Sequence, residues 1–173
     1  MARLCRASQK DSRRQGLAGS GPADRGTGTG ALLSIYADSS FFVSLYLVDG
    51  HSRETQHRMA KHPRLWLTPL HRVEWTHAVA QHVFRRTISN REAQQFYSAF
   101  EADRKLGLWS EVEIPNLAFE TAVQLAKQHG PRLGVRTLDT LHVAAALELK
   151  SEHFWTFDER QAKLAESEGL KGS

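Results

Sequence analysis

Short apolar clusters alternate with longer amphipathic patterns through most of this sequence, and this alternation restricts the fold more than any other feature. The clusters at 32–37, 65–67, 111–114 and 154–157 have the length of buried strands, and one or two helical patterns follow each of them. Strands separated by helices need crossover connections, which give a mainly parallel sheet covered on both faces. The sequence therefore predicts an α/β protein, a three-layer α/β/α sandwich with a four- to five-stranded sheet.

The helix that begins at Thr68-Pro69 carries apolar residues on two faces. The proline is typical of the first helical turn. The main stripe at helical spacing is predicted to be buried, and it consists of Leu70, Val73, His77, Ala80 and Phe84. Trp75 and Val79 lie opposite this stripe, so we expect the helix either to be buried on both sides or to form a homodimer contact. A later helix that starts at Asn116 is expected to end at Gly130-Pro131.

The first 30 residues differ in composition from the rest of the chain. They contain six of the twelve glycines and carry a net charge of +4, which is the formal charge of the whole chain. This composition predicts a disordered, basic Gly/Arg-rich tail at 1–30 and a folded domain at 31–173 with no net charge. The basic isoelectric point is therefore not expected to indicate a nucleic-acid surface on the folded domain.

Two absences in the sequence exclude several classes of protein. No apolar run approaches the ~20 residues needed to cross a bilayer, so we expect no membrane contact. The single cysteine, Cys5, cannot form an internal disulfide or a Cys-x-x-Cys zinc or redox site. Together these features predict a protein of the reducing cytoplasm.

Three aspartates occupy positions that are typical of a ligand site. Asp38 follows the first predicted strand and Asp158 the last, and open parallel sheets bind ligands beyond the carboxyl ends of their strands. Each also stands at a helix start, where it could serve only as an N-cap. Asp139 is expected to be buried in the apolar arc of its helix, which requires a cation or a salt bridge to Arg136.

Glu74 is the fourth candidate acid, although a boundary glutamate paired with an arginine would also explain it. Four carboxylates that meet in one crevice repel one another unless divalent cations lie between them. Oxygen ligands suit Mg²⁺ or Mn²⁺, and substrate phosphate commonly completes the coordination of Mg²⁺. The combination therefore indicates hydrolysis of phosphodiester bonds.

Four segments share the pattern of one known family: YADSSF at 36–41, LHRVE at 70–74, RTLDTLHVAAA at 136–146 and TFDER at 156–160. The two later segments, in this order and spacing, are the more specific. Over residues 33–170 the chain resembles the PIN-domain ribonucleases, most closely the VapC-type toxins of bacterial type II toxin–antitoxin systems. The basic tail departs from the family pattern, and the chain stops where the family commonly has a fifth edge strand.

The resemblance implies a compact α/β sandwich and a Mg²⁺- or Mn²⁺-dependent endoribonuclease. It implies an RNA substrate, a homodimer and a cognate antitoxin that covers the acidic crevice. The catalytic acids of the family correspond to Asp38, Glu74, Asp139 and Asp158. Of these, Asp38, Asp139 and Asp158 would hold the metal, while Glu74 would bind it or orient a bound water. Ser40 and Thr156 correspond to supporting polar residues.

Three arginines and two alternative functions complete the sequence predictions. Arg85, Arg86 and Arg91 are candidate RNA-binding residues, although they also fit a solvated helix end. The first alternative is a PIN-like RNA-binding module without catalysis. The second is a carboxylate-bridged di-iron protein, because Glu74-x-x-His77 and Asp139-x-x-His142 match the ligand spacing of di-iron helix bundles.

Overall fold

Strands and helices alternate along residues 34–61 and 63–172, which are the residues that the computed structural model describes. The strands are β1 (Ser34–Ala37), β2 (Arg64–Leu67), β3 (Ser110–Glu111) and β4 (His153–Trp155). The helices are α1 (Ser39–Tyr46), α2 (Ser52–Met59), α3 (Pro69–Phe84), α4 (Asn90–Lys105), α5 (Leu117–Leu133), α6 (Thr137–Glu148) and α7 (Glu159–Ser167). The tail predicted at 1–30 lies outside the described residues.

The strands form one parallel sheet in the order β3-β2-β1-β4. Ile35 of β1 is in register with Leu65 of β2 and with His153 of β4. Beyond β4, Lys171 extends the edge, since its carbonyl accepts from the Phe154 amide at 2.9 Å. The predicted parallel sheet is therefore confirmed, and the last residues of the described chain add one further bridge.

Alternate residues of the central strand face two separate cores, which places helices on both sides of the sheet. Ile35 and Ala37 pack in a cluster with residues of α1, α3 and α4. Tyr36 belongs to a second cluster with residues of α5, α6 and α7. This arrangement confirms the three-layer α/β/α sandwich. No helix in the described part of the chain is long and apolar enough to cross a membrane.

The sequence prediction for the buried face of α3 is wrong. Trp75 and Val79 are in the core, whereas Val73 and Phe84 of the predicted stripe are 67% and 81% exposed. The indole of Trp75 stacks on the ring of Phe100 with 4.3 Å between their centroids. A tryptophan buries far more apolar area than a valine, so the face with fewer but larger apolar residues turns inward.

The predicted end of α5 is also wrong. The helix continues through Pro131 to Leu133 and ends at Gly134, whose φ of 62° is left-handed. The Gly134 amide donates to the carbonyl of Gly130 at 2.9 Å. Only two helical residues follow Pro131, so the disruption that a proline causes is confined to the last turn of the helix.

Candidate active site

Asp38 is a buried carboxylate at the carboxyl end of β1, the central position of the sheet. It caps α1, because its carboxylate accepts from the Phe41 amide at 3.2 Å. The hydroxyls of Ser40 and Thr156 donate to its two oxygens at 2.6 and 2.8 Å. Burial raises the pKa of Asp38, which outweighs the opposing effects of the nearby His142 and of these hydrogen bonds.

Glu74 lies in the second turn of α3, half-buried, against two polar side chains from other elements. Ser39 donates to Oε2 at 2.5 Å, and the same oxygen contacts Nε2 of His142. Burial pushes the pKa of Glu74 upward, but the hydrogen bond and charge of His142 and the Ser39 hydroxyl outweigh it, so the pKa is lowered. Glu74 is therefore held as a carboxylate, and its partner is a histidine rather than the arginine of the alternative interpretation.

Two further buried groups fix the orientation of His142 and of the end of β1. The Tyr36 hydroxyl lies 2.9 Å from Nδ1 of His142, and burial raises the pKa of this tyrosine, so the hydroxyl keeps its proton. Nε2 of His71 is 2.7 Å from the Ala37 carbonyl oxygen, and its Nδ1 accepts from the Thr68 amide at 3.0 Å. Burial lowers the pKa of His71 well below its usual value, so it is neutral. It thus joins the start of α3 to the residue before Asp38.

Thr156 and Gln161 connect Asp38 with the start of α7. The Thr156 hydroxyl lies 2.7 Å from Oε1 of Gln161 and accepts from the Asp158 amide at 3.0 Å. Asp158 is the N-cap of α7 and accepts from the Arg160 and Gln161 amides. Partial burial pushes the pKa of Asp158 upward, but these amides and the Arg160 charge outweigh it, so the pKa is lowered. Asp158 is therefore an ionised carboxylate, and its backbone amide is linked to Asp38 through the Thr156 hydroxyl.

Asp139 reaches the same network through its backbone, and the prediction that its side chain is buried is wrong. The side chain is only partly buried, and its neighbour Leu138 is 44% exposed. Its carboxylate accepts from the Arg136 amide at 2.9 Å, which is a capping interaction and not the salt bridge to Arg136 that was the alternative to a bound cation. The Asp139 carbonyl accepts from the Gln161 amide group at 3.3 Å. Because Asp139 lies in the first turn of α6, backbone amides solvate it without burial.

Hydrogen bonds therefore link Asp38 with Asp139 and Asp158, and Glu74 belongs to a second group with Ser39 and His142, but the four acids do not form a ready-made metal cluster. Among residues 34–61 and 63–172, no three aspartate, glutamate, histidine or cysteine side chains are arranged to hold a metal ion. The three arginines belong to neither group. Arg85 lies roughly three turns beyond Glu74 along α3, about 16 Å away, and Arg86 and Arg91 flank the following turn.

Several residues of these two groups are absent from the nuclease site predicted from sequence, although the di-iron alternative includes His142. They are Tyr36, Ser39, His71, His142 and Gln161. The segments around 36–41 and 136–146 contain three of them, but sequence spacing does not show which side chains face the crevice. The di-iron alternative is wrong, because the fold is an α/β sandwich rather than a helix bundle, and His77 is exposed.

Comparison with known proteins agrees with this architecture. The sequence model of the PIN domain matches residues 35–167, from β1 to the last helix. VapC20 of Mycobacterium tuberculosis, described as a Sarcin-Ricin loop cleaving toxin, has 17% identity and a TM-score of 0.55, covering 75% of this chain and 93% of its own. VapBC2 of Rickettsia felis, bound to a promoter DNA fragment, has 11% identity and a TM-score of 0.58, with coverages of 82% and 98%. No curated protein matches the chain.

Proposed function

The chain belongs to the PIN-domain family, and we propose that it is a divalent-metal-dependent endoribonuclease, the toxin of a toxin–antitoxin pair. The observation that carries this proposal is the buried carboxylate of Asp38 at the carboxyl end of the central strand. Hydrogen bonds through Thr156 and Gln161 link it to Asp139 and Asp158. Three acids linked by hydrogen bonds at that edge of a parallel sheet suit a ligand that carries positive charge.

The donor set fits a hard cation. No arginine or lysine among the described residues forms an ion pair with Asp38. Carboxylate oxygens are the ligands that Mg²⁺ and Mn²⁺ prefer, and Asp38, Asp139 and Asp158 would hold the ion. Such an ion supplies a water of lowered pKa and stabilises charge on the phosphate.

The chain's own side chains position the reactants. Ser40 and Thr156 orient the carboxylate of Asp38, while His142 and Ser39 hold Glu74 ionised. In that state Glu74 accepts a hydrogen bond from the attacking water. Because water rather than the ribose 2′-hydroxyl attacks phosphorus, the products carry a 5′-phosphate and a 3′-hydroxyl.

We infer three partners and a compartment for this activity. RNA is the substrate, and Arg85, Arg86 and Arg91 are proposed to contact its backbone. A cognate antitoxin would cover the crevice, a second copy of the chain would form a homodimer, and the complex would act in the cytoplasm. The structural similarity to VapBC2 supports the expectation of an antitoxin.

The test is cleavage of a mixed RNA by the purified chain with Mg²⁺ or Mn²⁺, with the RNA ends sequenced. We expect cuts that leave 5′-phosphates and that disappear with a chelator. Asp139→Asn should lower the rate at least 100-fold with unchanged circular dichroism, because the amide keeps the shape but loses the charge. Glu159→Gln, the exposed acid next to Asp158, is the matched control and should cut at the wild-type rate.

A PIN-like RNA-binding module without catalysis is the second candidate, and the lack of a ready-made metal cluster in the described part of the chain favours it. The same experiment separates the two functions. RNA that is bound but not cut under any metal would establish the binding module. Cleavage by Asp139→Asn at the wild-type rate would contradict the assignment of the metal-holding acids.

A further inference from the structure

Phe157 lies between two residues of the site, and its ring belongs to an aromatic stack. It follows Thr156, which donates to Asp38, and precedes Asp158, the N-cap of α7. The imidazole of His51 lies parallel to the Phe157 ring, with 4.1 Å between the centroids and 11° between the planes. Consecutive Cα atoms are 3.80 Å apart, so this stack begins within one residue of the proposed metal-holding acid.

The lower part of the stack is held in place by the core. The Phe41 ring stacks on Phe157 with 6.0 Å between centroids, and Phe41 is fully buried. The Arg58 guanidinium lies 5.6 Å from the Phe157 centroid and 5.5 Å from that of Trp155. Its side chain is only 13% exposed, and its Nε donates to Glu54 at 2.8 Å. Phe157 is therefore a fixed, partly buried ring beside a positive charge.

The outer part of the stack is open to solvent. His51 is exposed, and it precedes α2 without forming a side-chain capping hydrogen bond. Its ring therefore has no helix-capping role. Phe157 covers one face of the imidazole, and the remainder of the ring is accessible for another flat group.

We propose that His51 and Phe157 form a stacking platform for an unpaired base of the RNA strand, beside the phosphate that is cut. This inference rests on the proposed function for the identity of the ligand. Single-stranded RNA is bound largely by stacking its bases on aromatic rings and by positive charge near the backbone. The platform supplies the aromatic element within one residue of Asp158, and the Arg58 guanidinium, paired with Glu54, lies beside the Phe157 ring. A base held there must be unpaired, so the platform selects loops and single strands over duplexes.

Direct binding measurements with a chelator present test the platform independently of hydrolysis. The probes are a single-stranded RNA oligonucleotide and an oligonucleotide of the same length and charge that lacks every base. We expect His51→Ala to weaken binding of the normal RNA about tenfold, the loss typical of one stacked base. The base-free strand should bind His51→Ala and wild type equally. His51→Phe should restore normal binding, because it keeps a flat ring without the imidazole nitrogens.

A fluorescent base and a control variant complete the design. The fluorescence of an oligonucleotide that contains 2-aminopurine should be quenched when it binds the wild-type chain, and it should be quenched less when it binds His51→Ala. His57→Ala, at an exposed histidine of the helix that His51 precedes, is the matched control and should bind like wild type. Equal binding of normal RNA by wild type and His51→Ala, or an equal loss for the base-free strand, would overturn the platform. If the platform is overturned but the chain still cleaves RNA, the proposed function stands. If binding depends on the bases but no RNA is cleaved, the proposed function is refuted and the platform stands.

Discussion

When the carboxyl group of Asp38 is ionised, it competes with Gln161 for the single proton of the Thr156 hydroxyl. The Thr156 hydroxyl lies within hydrogen-bond distance of both Asp38 and Gln161, at 2.8 and 2.7 Å, and both facing atoms are oxygens. A hydroxyl has one proton, so it donates to only one of them at a time. A proton or a cation on Asp38 removes this conflict. The network therefore agrees with the raised pKa of Asp38 that burial causes.

Asp38→Asn should stabilise the metal-free protein while it abolishes cleavage. The amide nitrogen of asparagine donates to Thr156, whose hydroxyl proton is then free for Gln161. The pKa of Asp38 is raised in the folded state. The free energy of unfolding of the wild type therefore falls as the pH rises from the unfolded pKa of 3.8 through the folded pKa, and it stays lower at higher pH. We expect Asn to add about 1 kcal/mol to the free energy of unfolding at pH 7, measured by denaturant titration with a chelator present.

Asp49→Asn is the control, and it should change the free energy of unfolding in the opposite direction. Some burial pushes the pKa of Asp49 upward, but hydrogen bonds from Ser44, the His51 amide and Ser52 outweigh it, so its pKa is lowered. Asp49 therefore stabilises the fold above the unfolded pKa and loses this effect as pH falls, and its replacement should destabilise. If Asp38→Asn destabilises as much as Asp49→Asn, the proposed conflict at Thr156 is wrong.

At the scale of the elements, Gln161 joins two helices to the end of the sheet. It lies in the first turn of α7 and is 1% exposed. Its oxygen faces the Thr156 hydroxyl after β4, and its nitrogen donates to the Asp139 carbonyl in α6 at 3.3 Å. One buried amide thereby sets the spacing between the segments that carry Asp139 and Asp158.

Gln161→Leu should weaken both the fold and the site. Leucine has a similar length but leaves the Asp139 carbonyl without its side-chain donor, which costs about 1–3 kcal/mol, while the Thr156 hydroxyl can still donate to Asp38. Cleavage should also require a higher Mg²⁺ concentration, because the acids are no longer held at a fixed spacing. Thermal unfolding and a metal titration of the cleavage rate measure the two effects. Gln124→Leu, an exposed glutamine of α5, should change neither, and an unchanged metal requirement in Gln161→Leu would contradict the spacing role.

Sequence patterns located the elements better than they located the faces of the helices. The positions of Asp38 and Asp158 follow from strand ends and helix starts, which are local features. The buried face of α3 does not follow locally, because Val73 and Trp75 lie on competing apolar faces. Burial there depends on the ring of Phe100 from another helix. The contact between Glu74 and His142 likewise joins residues distant in sequence, so spacing could suggest both residues but not their pairing.

At the scale of the whole molecule, one exposed apolar surface follows from the orientation of α3. Val73 and Phe84 are 67% and 81% exposed on the outer face of this helix, with the exposed residues His77 and Ala80 between them. Val73, His77 and Ala80 also line a shallow depression with Tyr97 of α4. Exposed apolar surfaces of this kind commonly contact a partner. The outer face of α3, rather than Trp75, is therefore the surface to test for the proposed homodimer.

Val73→Glu should convert the homodimer into a monomer without unfolding it. Val73 is exposed in the single chain, so its replacement should change the free energy of unfolding of the monomer by no more than about 0.5 kcal/mol. A two-fold interface contains the substitution twice. Each glutamate would place an unpaired charge against apolar surface, which disfavours the dimer. Leu106→Glu is the matched control, since Leu106 is equally exposed at 67% but follows α4. Light scattering over a range of concentrations should give a dimer for wild type and Leu106→Glu and a monomer for Val73→Glu. A wild-type monomer at every concentration would contradict the homodimer, and dissociation by Leu106→Glu alone would move the interface away from α3.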